Sequence, residues 1–168
     1  MVSSEPLVLL RKAVERYLDG SFGGHEVSAG GDFLVRQGSS VAHVQPLEWT
    51  EDRTLVRIWA TTNVGMRVDG ELTRFLATEN GSFVFGGLYL EEHGPSVVFA
   101  HTLLGDFLSR RELEEAVTAL AATADFYDDQ IKARFGGRLF SEPEAPPAAK
   151  SWLARLFGKL ARGSSGGS

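Results

Sequence analysis

Four histidines, three closely spaced aspartates and a short basic stretch rich in aromatic and aliphatic residues are the parts of this chain with chemistry within reach. A metal site on a helix needs paired imidazoles at a spacing such as His-x-x-x-His. His25, His43, His93 and His101 are scattered instead, in a loop, on two predicted strands and in a turn. His43 and His101 read as packing residues, with a titrating role at an interface as the alternative. Nucleophilic catalysis needs a base beside the nucleophile and donors for an oxyanion. Serines are plentiful, yet none sits in a Gly-x-Ser-x-Gly elbow between a strand and a helix.

Asp125, Asp128 and Asp129 stand three and four apart, so they share one side of a helix and could hold a cation. The plainer reading is a solvated acidic face balanced by Lys132 and Arg134. Glycine is abundant, but neither Gly-x-x-x-x-Gly-Lys-Ser/Thr nor a Gly-x-Gly-x-x-Gly turn between strand and helix occurs. With no cysteine, the chain excludes disulfides, thiolate zinc sites and cysteine nucleophiles. The expectation is a protein that is no enzyme and takes neither cofactor nor metal. An enzyme assembled from scattered polar residues is the remaining alternative.

The elements that would position these residues are well marked. Ser109 and Glu112 have capping-box spacing, Gly136 and Gly137 form a stop, and Leu113, Val117, Leu120, Ala124, Ile131 and Phe135 recur at helical steps between them. A long helix from Ser109 to Phe135 therefore lies on a core. A first helix is predicted over Pro6 to Leu18, with Gly20 as its stop, and a loop over Ser21 to Gly31. Strands follow at Phe33 to Gln37, Val41 to Trp49 and Thr54 to Thr62, the second forced to an edge or a bulge at Pro46. Asp69 caps a short helix to about Glu79; strands at Ser82 to Glu92 and Ser96 to Leu104 then pair as a hairpin. The order is helix, three strands, helix, two strands, long helix. It gives an α+β fold with an antiparallel sheet of about five strands and helices packed on it.

Alternation along the strands sorts the side chains by face. Val56, Ile58, Ala60, Leu88 and Leu90 suit packing under helices, while Trp59, Phe83, Phe85, Tyr89 and Phe99 are assigned together to the other face. That aromatic face is a candidate partner-binding surface. Three uses stay open: burial under the amino-terminal helix, a dimer interface, or a ligand groove.

The last residues carry a second signal. Ser141 to Ala149 contains three prolines and reads as an extended linker. Beyond it, Trp152, Leu153, Leu156, Phe157 and Leu160 share a predicted helix face opposite Arg155, Lys159 and Arg162. With Lys150, this stretch carries four basic and no acidic residues, which leaves 13 basic and 22 acidic residues in the remainder. Its apolar face has three candidate surfaces: the chain's own domain or dimer mate, a groove in another protein, or an anionic membrane. The predicted division is a domain over 1–140, a Pro/Ala linker over 141–149, a basic amphipathic helix over 150–162, and a flexible tail or appended linker over 163–168.

At 168 residues and 43% apolar composition, the chain fits one domain with a real core. No run of eighteen apolar residues occurs, and Met1 to Glu5 lacks the basic start of a secretory signal, so a soluble cytoplasmic protein is expected. Residues 1–149 carry 13 basic and 22 acidic side chains, a net -9, so the folded body is expected to repel nucleic acid, which the basic tail need not, and no nucleic-acid partner is expected.

The element order, the strand Leu55-Val56-Arg57-Ile58-Trp59-Ala60, the passage from Asn63 to Phe75, the Phe85-Gly86-Gly87 turn, Ala124-Asp125 and the closing Phe135-Gly136-Gly137 together resemble the YbjN family, whose domain has the fold of type III secretion chaperones. The resemblance covers about residues 5–137. It implies a compact, frequently dimeric α+β domain that binds segments of other proteins, does no chemistry and supplies no catalytic residue. The expected function is that of a chaperone-like domain holding a client protein or peptide segment. A homodimer is a further option, as is a membrane-surface adaptor role through the basic tail.

Overall fold

The computed structural model describes residues 4–91 and 94–141. Helix α1 (Glu5–Phe22) opens on Ser4, whose hydroxyl accepts the Leu7 N–H, and Pro6 stands in the first turn where its missing donor costs nothing. It outruns its expected stop by a full turn. Gly20 stays helical and leaves room for the Arg110 guanidinium, which donates to the Gly20 carbonyl; the left-handed cap is Gly23.

Strands β1 (Glu26–Val27), β2 (Phe33–Gln37), β3 (Ser40–Thr50) and β4 (Arg53–Val64) form an antiparallel run, followed by α2 (Gly70–Glu79). Two backbone amides of α2 donate to the Asp69 carboxylate at 3.0 Å, which is the cap the sequence calls for. Strands β5 (Gly87–Leu90) and β6 (Ser96–Leu104) make the second antiparallel pair. Helix α3 (Arg110–Phe135) follows, started by Ser109 accepting the Glu112 N–H, and β7 (Arg138–Leu139) returns to β4. The sheet order is β1-β2-β3-β4-β6-β5, with β7 beside the far end of β4. This is the expected α+β architecture with two short strands added. Two-residue pairings leave no periodic trace in a sequence, so β1 sits unannounced in the expected Gly-rich loop and β7 after the last helix. Pro46 lies beyond the last β2–β3 pair, Phe33↔Val44, where β3 has only β4 beside it, as a residue without a donor requires.

The expected strand over Ser82 to Glu92 shortens to Gly87–Leu90, because residues 82–86 peel away from the sheet. Gly86 has φ +75°, and a Cβ there would stand 2.6 Å from the Ala100 carbonyl oxygen. The outer edge of β5 is closed by a side chain. Asn80 accepts the Leu88 N–H at 2.7 Å and donates to the Leu88 carbonyl at 3.0 Å.

All three helices pack on one face of the sheet among the described residues. Leu10, Val14 and Leu18 of α1, Leu72 and Leu76 of α2, and Leu113, Val117 and Ile131 of α3 form one core with Val56, Ile58 and Ala60. Helix α1 therefore shares the α3 side and leaves the opposite sheet face uncovered. The turn into α3 is tied to the sheet by Asp106, whose carboxylate accepts the Thr54 N–H at 2.9 Å and its hydroxyl at 2.8 Å. Those donors, with Arg53 nearby, hold the Asp106 carboxyl below its ordinary range. The predicted linker over 141–149 and the basic helix over 150–162 lie, after Ser141, outside the described residues, as do 163–168 and His93.

Candidate functional site

The structure divides the five aromatic residues assigned to one face. Ala60 pairs with Phe99 and Ile58 with His101, which places Phe99 and His101 on the helix-covered side. Phe99 is buried; Phe83, off the strand, packs edge-on against Phe99 and Tyr127 at 5.0 and 5.4 Å. Trp59 and Tyr89 stay on the uncovered face, where Trp59 pairs with Ala100 and Tyr89 with Val98. This division has a physical origin. Alternation within a strand fixes which residues share a side, but the phase between two strands is set by their pairing register.

The uncovered face carries His43, Gln45 and Arg57 beside Trp59 and Tyr89, with Leu47 and Leu55 further along the strands. His43 stacks on Trp59 with centroids 4.8 Å apart, and the Arg57 guanidinium stands 5.5 Å from the same ring. Much of the Trp59 surface is thus engaged within the molecule. Burial lowers the His43 pKa, with Asp32 pulling the other way, and its Nδ1 is buried without a hydrogen-bond partner.

The third aromatic group opens a site that periodicity could not reveal. Helix α3 lies over β4 and does not reach the β5 edge of the sheet, so a groove of about 680 Å³ runs between it and residues 82–85. Phe99, His101 and Leu103 of β6 line it, Ala116, Ala119 and Leu120 of α3 form one wall, and Phe83 and Phe85 the other. At its rim Val84 is 85% exposed and Phe85 is 71% exposed, an arrangement that is costly for side chains without a partner. Only Phe85 of the five assigned aromatics is both in the groove and freely accessible. His101 touches Phe85 with ring centroids 5.5 Å apart, and burial pulls its pKa down while Glu112 pulls it up.

Beside the groove, β6 is left open. The β5 pairing stops at Gly87↔Ala100, whereas β6 continues to Leu104 with β4 on its other side. Gly105 donates to Thr54 of the β4 side, so by alternation Thr102 and Leu104 point their backbone groups outward. No described strand meets them. Among the described residues, no group of His, Asp and Glu is placed to hold a metal ion, and Asp125 instead accepts the hydroxyls of Ser39 and Ser40 at 2.7 and 2.6 Å. No described helix is long and apolar enough to cross a membrane.

Several solved structures share this fold. A chain of the ExsC–ExsE complex superposes with a TM-score of 0.52 at 18% identity, covering 76% of this chain and 96% of that one. The Yersinia pestis type III secretion chaperone SycH, crystallised with a stable fragment of YscM2, gives a TM-score of 0.50 at 15% identity, with 70% and 98% covered. YbjN from E. coli gives 0.51 at 15% identity, with 72% and 92% covered. Comparison with curated proteins finds no match. The family model described as T3SS (YopN, CesT) and YbjN peptide-binding chaperone 1 matches residues 9–143, nearly the whole folded unit, and the chain belongs to that family.

Proposed function

We propose that this protein holds a segment of a client protein in extended form along the open edge of β6, with apolar side chains of the client entering the groove beside α3, and that it performs no chemistry of its own. One observation carries the reading: β6 runs four residues beyond the end of β5, directly alongside an apolar groove. Outward N–H and C=O groups at Thr102 and Leu104 would supply the backbone pairing, and Phe83, Phe85 and Phe99 the apolar wall. Membership in a peptide-binding family supports the same assignment.

The energetics favour a long client. Two or three side chains seated in the groove are worth on the order of 4 to 8 kcal/mol, and ordering a flexible segment takes back about 2 to 5. Binding through the groove alone is therefore weak. Alternate side chains of an added strand point to the uncovered face, where Tyr89 and Trp59 offer further contact.

Selection of a random peptide library on the intact chain, followed by affinity measurement of the recovered peptides, tests this reading. Ala119→Trp fills the groove from an exposed position on α3 and is expected to weaken those peptides at least tenfold, with amide exchange at Thr102 and Leu104 slowed by peptide in the wild type. Peptides indifferent to Ala119→Trp but weakened by Tyr89→Ala would move the site to the uncovered face.

A further inference from the structure

The groove has a match within the same polypeptide. It follows α3 from Ser109 to Thr123, a length of about 21 Å at the helical rise. The stretch from Trp152 to Arg162, laid out as a helix, would measure about 16 Å and offers Trp152, Leu156 and Leu160 on one side. A helix of that length is shorter than the groove and would fit within it with its apolar side inward.

The tether reaches. The chain leaves the fold at β7, where the Phe140 N–H donates to the Thr62 carbonyl. Phe99 stands opposite Ala60 on the next strand over, so the groove floor begins roughly 12 Å from Phe140 measured across the sheet. Passing over α3, a cylinder about 10 Å thick, adds some 15 Å. Ten residues lie between Ser141 and Trp152, Pro143, Pro146 and Pro147 among them, and the eleven steps from one to the other would span about 34 Å when extended.

Charge favours the same contact. The tail carries Lys150, Arg155, Lys159 and Arg162 with no acid, whereas the rest of the chain has nine more acidic than basic residues. The groove lining includes Glu112, Glu115 and Arg111, and Arg111 is engaged with Glu115 at 2.8 Å. Glu112 is the acid in the lining with which a tail cation would pair.

We infer that residues 150–162 occupy the groove of their own chain in the absence of a client, so that a client binds by displacing the tail. The inference rests on the groove being the peptide site, and it adds regulation to that site: the tail keeps Val84 and Phe85 covered and sets a threshold of affinity that a client segment must exceed.

Because the chain has no cysteine, two introduced thiols report on this contact without competitors. In the full chain carrying Val84→Cys and Leu156→Cys, mild oxidation is expected to close a disulfide within the monomer at least tenfold faster than in the pair Arg36→Cys and Leu156→Cys, which tests the uncovered face of β2. Equal rates, no disulfide, or a disulfide found only in a dimer would overturn the inference, the last by assigning the groove to the tail of a second copy. Library-selected peptides separate this outcome from the proposed function. Peptides that bind through the groove while the 84–156 disulfide never forms would leave the client site standing and remove the tail. A fast disulfide that such peptides do not slow would keep the tail in the groove and send clients elsewhere.

Discussion

Ala60 and Phe99 stand opposite each other across β4 and β6, and this single pairing commits Phe99 to the core and Tyr89, whose partner is Val98, to the uncovered face. Phe99→Asp would bury a carboxylate among Phe83, Leu120 and Ala60, with an expected cost above about 4 kcal/mol, enough to unfold a domain of ordinary stability. Tyr89→Asp should stay within about 1 kcal/mol of the wild type. Urea midpoints compare the two directly; equal midpoints would mean that both residues lie on the same exposed surface.

How far the sequence could be read depended on whether a signal was local. Ser109, Asp69, Gly136 and the strand Phe33 to Gln37 act on their own neighbours, and the structure has each where local chemistry puts it. The faces of Phe99 and Phe83 depend on register and on a peeled segment, both set by contacts distant in sequence, so alternation within one strand does not assign them. The groove itself comes from an absence of cover: α3 lies over β4 and stops short of the β5 edge, and no periodicity encodes a helix's lateral position. His101 was visible as a strand residue, but its place in that groove was not.

Gly86 fixes where the chain leaves the sheet. Its φ of +75° and the 2.6 Å approach of the Ala100 oxygen to a built Cβ make Gly86→Ala strained in both backbone and space. The expected loss is about 1 to 3 kcal/mol by denaturant titration. Phe85 should shift with it, so peptides selected on the wild type should bind more weakly even where the variant is fully folded.

Asn80 serves β5 as a substitute strand, satisfying both backbone groups of Leu88. Asn80→Ala leaves that donor and acceptor without their protein partners and is expected to cost about 1 to 2 kcal/mol. Hydrogen exchange should accelerate at the Leu88 amide more than at amides in β3 or β4. An unchanged Leu88 amide would show that the edge is held by β6 alone.

His43 and His101 both have pKa values lowered by burial from 6.5, the first opposed by Asp32 and the second by Glu112. The unfolded chain therefore takes up protons more readily than the native one. Stability contributed by neutral imidazoles is complete above the unfolded value near 6.5 and falls as pH drops below it, levelling once the folded values are passed. Asp106 and Asp69, held low by hydrogen bonds, act in a separate and more acidic window: their contribution is present above the ordinary carboxylate value and is lost as pH falls through the depressed one. Urea denaturation at pH 7.5, 6.5 and 5.5 should show the histidine slope, and His43→Gln and His101→Gln should each remove part of it. The two differ in what binding does to them. An apolar client side chain laid over His101 deepens its burial, so acidification from pH 7 to pH 5.5 should weaken groove-bound peptides in the wild type and leave their affinity nearly level in His101→Gln, whereas His43→Gln, on the opposite face of the sheet, should keep the full dependence.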